Sequence, residues 1–216
     1  MSAPEPEAAA GSVEPRLAAE FPGLELRWVA LETRGGPSPT PLRGRLRELS
    51  DSGRGARVLA LRTQPVAHAY RVFFRQTGLD PDVTRIPSEE AAVRRLLDGG
   101  FRSHGRIRDA LLIALVETGV PVWALKREVT DPETLTIRTS RAGEAAGESP
   151  VALGEGRLVL ADARRVHGAL FGPLAPGHTV GPRTRGLVLV CVGVDGVPSI
   201  FLEEALWLCA EILTDV

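Results

Sequence analysis

Residues 101–126 read Phe-Arg-Ser-His-Gly-Arg-Ile-Arg-Asp-Ala-Leu-Leu-Ile-Ala-Leu-Val-Glu-Thr-Gly-Val-Pro-Val-Trp-Ala-Leu-Lys. Ile107, Leu111, Ala114, Leu115 and Thr118 share one helical stripe, and Leu112, Ile113 and Val116 cover the opposite side. A helix apolar nearly all round belongs inside a domain, wrapped by other elements. Gly119 suits the left-handed conformation that ends a helix, and Pro121 prevents its continuation. Val122-Trp123-Ala124-Leu125 then reads as a short buried strand.

Upstream of this unit, residues 24–33 alternate as a strand does, until Gly35, Gly36, Pro37 and Pro39 break it. Leu42, Leu46 and Leu49 have helical spacing. Residues 66–77 predict an amphipathic helix carrying Ala67, Tyr70, Phe73 and Phe74, stopped at Gly78. Ser88 is placed to cap a further helix, with Glu89 and Glu90 at its positive end. That helix should bury Ala92, Val93, Leu96 and Leu97 and turn Arg94 and Arg95 outward, ending at Gly99-Gly100. Residues 1–20, with Pro4, Pro6 and Pro15 among Ala and Glu, read as a disordered tail. One domain is expected over 21–216.

Downstream, 134–138 and 158–161 read as strands, and 162–165 as a polar turn. Residues 168–186, rich in Gly and Pro, read as one long irregular segment, which in a compact domain is usually functional or mobile. Residues 187–192 are apolar on both faces and therefore form a central strand. Ser199 is read as the cap of a last helix whose Leu202, Ala205, Leu206, Cys209, Ile212 and Leu213 face the core. The class is α+β, with mixed or antiparallel sheets flanked by helices.

The bulk numbers narrow the function. With 44% hydrophobic and 25% charged residues among 216, the chain has an ordinary globular composition. No apolar run approaches the roughly 18 residues of a membrane span, and no basic-then-apolar start marks a secretory leader. Cys191 and Cys209 read as buried thiols of a reducing cytoplasm. Two Cys and four scattered His offer no metal-ligand pattern, and no cofactor is expected. A net charge of −1 gives no global pull towards nucleic acid. Locally, however, residues 34–62 hold seven arginines against Glu48 and Asp51. That excess suits either a phosphate-facing surface or a solvated face. Lys126 is the only lysine, which reflects either nucleotide-composition bias, as the many Ala and Gly also do, or the bidentate phosphate contact that arginine makes.

The order of motifs resembles the B3/B4 domain of the phenylalanyl-tRNA synthetase β subunit. Arg102-Ser103 precedes a helix with an inward Asp109, and Gly119-Val-Pro121 leads into the next strand. Leu158-Val-Leu-Ala-Asp162 is similar to that domain's strand ending in Ala-Asp, and 168–190 to its glycine-rich loop and buried strand, with Arg183-Thr184-Arg185 in place of a Thr-Arg pair. Ala69-Tyr-Arg71, Gly78-Leu-Asp-Pro81 and Pro87-Ser-Glu-Glu90 resemble stand-alone B3/B4 proteins. The likeness spans 24–216.

The resemblance implies a pocket between two halves and contact with tRNA or aminoacyl-tRNA, which the synthetase domain deacylates when mischarged. Three departures bear on that chemistry. Leu112, Trp123 and Gly177 stand where the family has Asn, His and Glu, so no catalytic residue is assigned. An RNA-binding module without most of the editing residues is expected. The alternatives are a trans-editing hydrolase rearranged around His178, and an amino-acid-sensing or partner-binding domain.

Asp109, Trp123, His178 and Thr179 are the expected pocket, and Arg102, Arg183 and Arg185 the expected RNA contacts. Asp109, a carboxylate on an apolar helix, needs a partner such as Arg102, Arg138 or a backbone N–H. It either fixes a loop or captures a ligand's ammonium. Trp123 is either core or a stacking platform. His167 and His104 have no carboxylate or nucleophile at a recognisable spacing and receive no role.

Overall fold

The computed structural model describes residues 8–52 and 64–214. In chain order come β1 (Ala9–Ala10), β2 (Ser12–Val13), α1 (Pro15–Glu20), β3 (Glu25–Glu32), α2 (Thr40–Ser52), α3 (Pro65–Gln76), α4 (Pro87–Asp98), α5 (Arg106–Thr118) and β4 (Val122–Lys126). Two short 3-10 turns follow. Then come β5 (Thr136–Thr139), β6 (Leu158–Ala161), β7 (Val166–Ala169), β8 (Gly186–Gly193) and α6 (Ser199–Thr214).

The strands make two four-stranded sheets. The first has the order β1-β3-β8-β4 and is antiparallel throughout. The second has the order β2-β5-β6-β7 and is mixed, because β2 runs parallel to β5. Helices flank the sheets, and the class is α+β as expected.

β8 is central for the reason its sequence gives. Leu187 through Val192 are all fully buried, so neither face meets water. Each such aliphatic side chain contributes about 1.5–3 kcal/mol of burial. Its register sets Val190 between Trp28 of β3 and Trp123 of β4, so these three share one face.

Several expectations need correction. Disorder over 1–20 fails from Ala8 onward: β1 adds to the first sheet, β2 to the second, and Leu17 of α1 is buried. Too short to show periodicity, these pieces are held by pairing with partners far along the chain. Residues 1–7 lie outside the described part, as do Arg54, Arg57 and Arg62 of the arginine-rich segment.

Ser88 is not a cap. Ile86 precedes the helix and Pro87 opens it, because proline's missing N–H costs nothing there. Leu96 and Leu97 are 52% and 81% exposed rather than buried, and Arg95 donates inward to the Ser50 carbonyl. Helix α5 buries Ile107, Ala110, Ile113 and Ala114 but leaves Val116 37% exposed, so it is covered on one side rather than enclosed. Ser199 opens α6 yet donates its hydroxyl to Glu25. Finally, the span 168–186 is less irregular than read, since Gly168 and Ala169 complete β7.

Candidate functional site

The expected pocket residues occupy three separate places. Asp109, 1% exposed, accepts hydrogen bonds from the Ser38 and Ser103 hydroxyls, each at 2.5 Å, and from the His104 backbone N–H at 2.8 Å. Helix α5 begins at Arg106, whose N–H bonds the Gly36 carbonyl. Asp109 in its first turn therefore ties the approach to the helix against the loop after β3. Among the described residues no arginine partners it; a backbone N–H does, one of the three partners expected.

Trp123 meets a different neighbour. Its ring lies 5.4 Å from that of Phe171 with the planes inclined by 68°. Phe171 also touches Tyr70, Phe73 and Phe74, at 5.7, 5.9 and 5.2 Å. Tyr70 anchors this cluster by donating to the Val192 carbonyl. Phe171 reaches it with a φ of 60°, a left-handed conformation that a bulky residue adopts only when its surroundings hold it there. Beside Trp123 the remaining gap is about 10 Å³, too little for a ligand. Leu112 lies half-buried, packed against the core.

His178 belongs to a third group. The turn between β6 and β7 brings Asp162 under His167, and the Nε2–Oδ2 distance is 3.1 Å. The His167 and His178 rings face each other through their Nδ1 atoms at 3.0 Å. All three are buried, at 5%, 0% and 3% exposure. Asp162 also accepts from the backbone N–H groups of Asp131, Arg164 and Arg165, at 3.0, 2.8 and 2.9 Å. Burial alone raises its carboxyl, yet those three donors and the nearby His167 outweigh it and hold the carboxyl below its usual range.

An ionised Asp162 dictates the protons beyond it. His167 donates from Nε2, so its Nδ1 is the acceptor and His178 donates from its own Nδ1. The free lone pair of the chain is then His178 Nε2, which has no hydrogen bond among the described residues. Burial holds both imidazoles below the ordinary histidine range. Asp162 opposes this at His167, and Arg165 adds to it at His178. A neutral imidazole backed by a carboxylate relay is chemically a general base. Its outlet is narrow: Gly147, at φ 53°, passes so near that a Cβ there would lie 3.0 Å from Nε2.

Thr179, next in the chain, is exposed, and its backbone bridges Leu125 of β4. Gly177 takes a φ of 82° with open space around it. The cavities lined by Trp123 and by His104 do not meet, and neither is lined by Asp109 or His178. Neither of these two cavities brings Asp109, Trp123 and His178 together.

The arginines divide as well. Arg183 and Arg185 are exposed on either side of buried Thr184, whose hydroxyl accepts from the Gly181 N–H at 2.9 Å. The carbonyls of Thr184 and Arg185 are held by the N–H groups of Gly35 and Thr33. The turn is thus fixed to the end of β3 while both guanidiniums face outward, with no ion pair among the described residues. Arg102 is 65% exposed and lies 3.8 Å from Asp98, a turn away in sequence.

Sequence reasoning missed His167. Its carboxylate lies five residues earlier, a spacing that means nothing on a helix and becomes a contact only across a hairpin. The signal available was the polar turn 162–165, beginning with an Asp and followed by a His. No family model matches the chain, and no curated protein matches it. Among the described residues, no helix is long and apolar enough to cross a membrane, and no group of three or more His, Cys, Asp or Glu is placed to hold a metal ion.

Proposed function

We propose that the protein is an RNA-binding module of the B3/B4 kind, directed at tRNA or aminoacyl-tRNA. The observation that carries this reading is the clamped Arg183-Thr184-Arg185 turn, two outward guanidiniums on a fixed backbone at the end of the first sheet. Rigid presentation lowers the ordering cost of a bidentate phosphate contact. The filled gap between Trp123 and Phe171 supports a role without the family's pocket chemistry.

Filter binding of labelled tRNA across a salt series tests it. Affinity should fall steeply with salt, and Arg183→Ala with Arg185→Ala should flatten the log–log slope by about 2, one per phosphate contact removed. Equal affinity for tRNA and a length-matched control RNA at low salt ends the reading.

The Asp162–His167–His178 chain favours a second reading, a trans-editing hydrolase. There His178 Nε2 takes a proton from water as the water oxygen attacks the aminoacyl ester carbonyl, and the tRNA hydroxyl leaves with a proton. Amino acid released from a panel of charged tRNAs, compared with His178→Gln, decides it. Rates equal to the buffer blank remove it.

A further inference from the structure

Beside the second sheet, with Asp162 at its margin, lies a polar cavity of about 450 Å³. Four arginines line it: Arg138 from β5, Arg141 from the loop after it, and Arg164 and Arg165 from the β6–β7 turn. Two carboxylates, Glu144 and Asp162, also reach it, and both are already engaged. Glu144 takes both guanidinium nitrogens of Arg138, at 2.8 and 2.5 Å, and the Arg141 N–H at 2.9 Å. Asp162 is committed to backbone N–H groups and to His167. Arg141, Arg164 and Arg165 form no ion pair among the described residues.

Among the lining residues four cations face two anions, an excess of two positive charges within the cavity, with Glu14 close enough to act on Arg138 from outside it. A phosphomonoester carries close to two negative charges near neutral pH, whereas a backbone phosphodiester carries one. Hydroxyls of Ser12, Thr134 and Thr136 line the same space. Those of Ser12 and Thr136 are held only by long 3.4 Å contacts to main-chain carbonyls. They remain available to a tetrahedral oxyanion with several acceptors. The bonds from Arg164 and Arg165 to Asp162 run through main-chain nitrogen, so the turn is fixed while the guanidiniums stay exposed.

We propose that this cavity binds the terminal phosphate of a phosphomonoester. The charge balance and donor set do not depend on tRNA being the protein's partner.

The test titrates the full chain at low salt with inorganic phosphate, adenosine 5′-monophosphate and adenosine, reading the melting temperature and heat of binding. Phosphate and the monophosphate should both bind and raise the melting temperature by mass action, and adenosine should not. Arg164→Ala with Arg165→Ala, both exposed positions, should weaken binding tenfold or more, while Arg183→Ala with Arg185→Ala should leave it unchanged. A short oligoribonucleotide with a 5′-phosphate, set against its 5′-hydroxyl form, separates two sources of the group. Preference for the phosphorylated end assigns an RNA terminus, and equal binding assigns a free metabolite. The proposal is overturned if neither phosphate nor the monophosphate binds, or if binding survives loss of Arg164 and Arg165. Retained tRNA affinity in the same variant shows that such a failure is not that of the RNA-binding reading.

Discussion

Asp162 holds His167 through an Nε2–Oδ2 contact of 3.1 Å inside the β6–β7 hairpin, and His167 in turn faces His178. Because burial depresses both imidazoles below 6.5, the unfolded chain takes up protons that the folded chain refuses. Stability is then complete above about pH 6.5 and falls as pH drops through that value. Asp162, depressed like a typical paired carboxylate, contributes stability lost only at more acid pH, below 3.8. Urea midpoints measured at about pH 7.5 and 5.5 should fall for the native chain and fall less for His178→Gln, which has no group titrating there. An identical drop in both would remove His178 as a cause, since His167 is present in each.

Glu144 bridges Arg138 and the loop after β5, and the Arg138 guanidinium holds its carboxyl down to about 2. The sign is that of a carboxylate: this stability exists above about pH 4.5 and drains away towards 2. The pair is only partly screened, with side chains 17% and 21% exposed. Glu144→Gln should cost about 1–2 kcal/mol at neutral pH and only a small part of that by pH 2. Chemical denaturation at both pH values reads the difference.

Asp109→Asn keeps the shape of the side chain but turns one acceptor oxygen into a donor facing hydroxyls and an N–H. The expected loss is about 1–3 kcal/mol. Amide exchange should quicken at His104 and Arg106, where the loop is tied to α5. Unchanged exchange there would mean that Asp109 does not hold the loop.

Phe171 offers a test of backbone conformation. Alanine and glycine both remove the ring from the cluster around Trp123, but only glycine adopts φ near 60° without penalty. Phe171→Gly should therefore be more stable than Phe171→Ala by about 1 kcal/mol, against the usual order. Tryptophan fluorescence should shift in both variants. Alanine proving the more stable would show that the left-handed residue is not strained.

The elements that repeat a pattern were readable in advance. Leu187 to Val192 announced a strand buried on both faces, and Tyr70, Phe73 and Phe74 announced the inner face of α3. What escaped was set by distant partners. Residues 9–13 are strands only because Trp28 and Thr136 wait across from them. Leu96 and Leu97 carried a helical spacing that gave no hint of whether anything would cover them. At the site, residue types survived better than roles. His178 proved buried among polar partners rather than lining a pocket with Trp123, because the polar turn 162–165 marks a reversal without showing which distant side chain will meet it. Arg183 and Arg185 face outward on a turn that the sequence shows only as part of one irregular segment, and Arg102 lies beside Asp98.

Gly11 separates β1 from β2, and a side chain there would collide with Leu26 of one sheet and the Leu135 carbonyl beside the other. One short segment thus laces the two halves of the molecule together by their outer margins. A shortened version beginning at residue 21 would expose an unpaired margin on each half at once. Its first symptom should be self-association in solution, ahead of any loss of helix signal, since bare strand edges seek new partners.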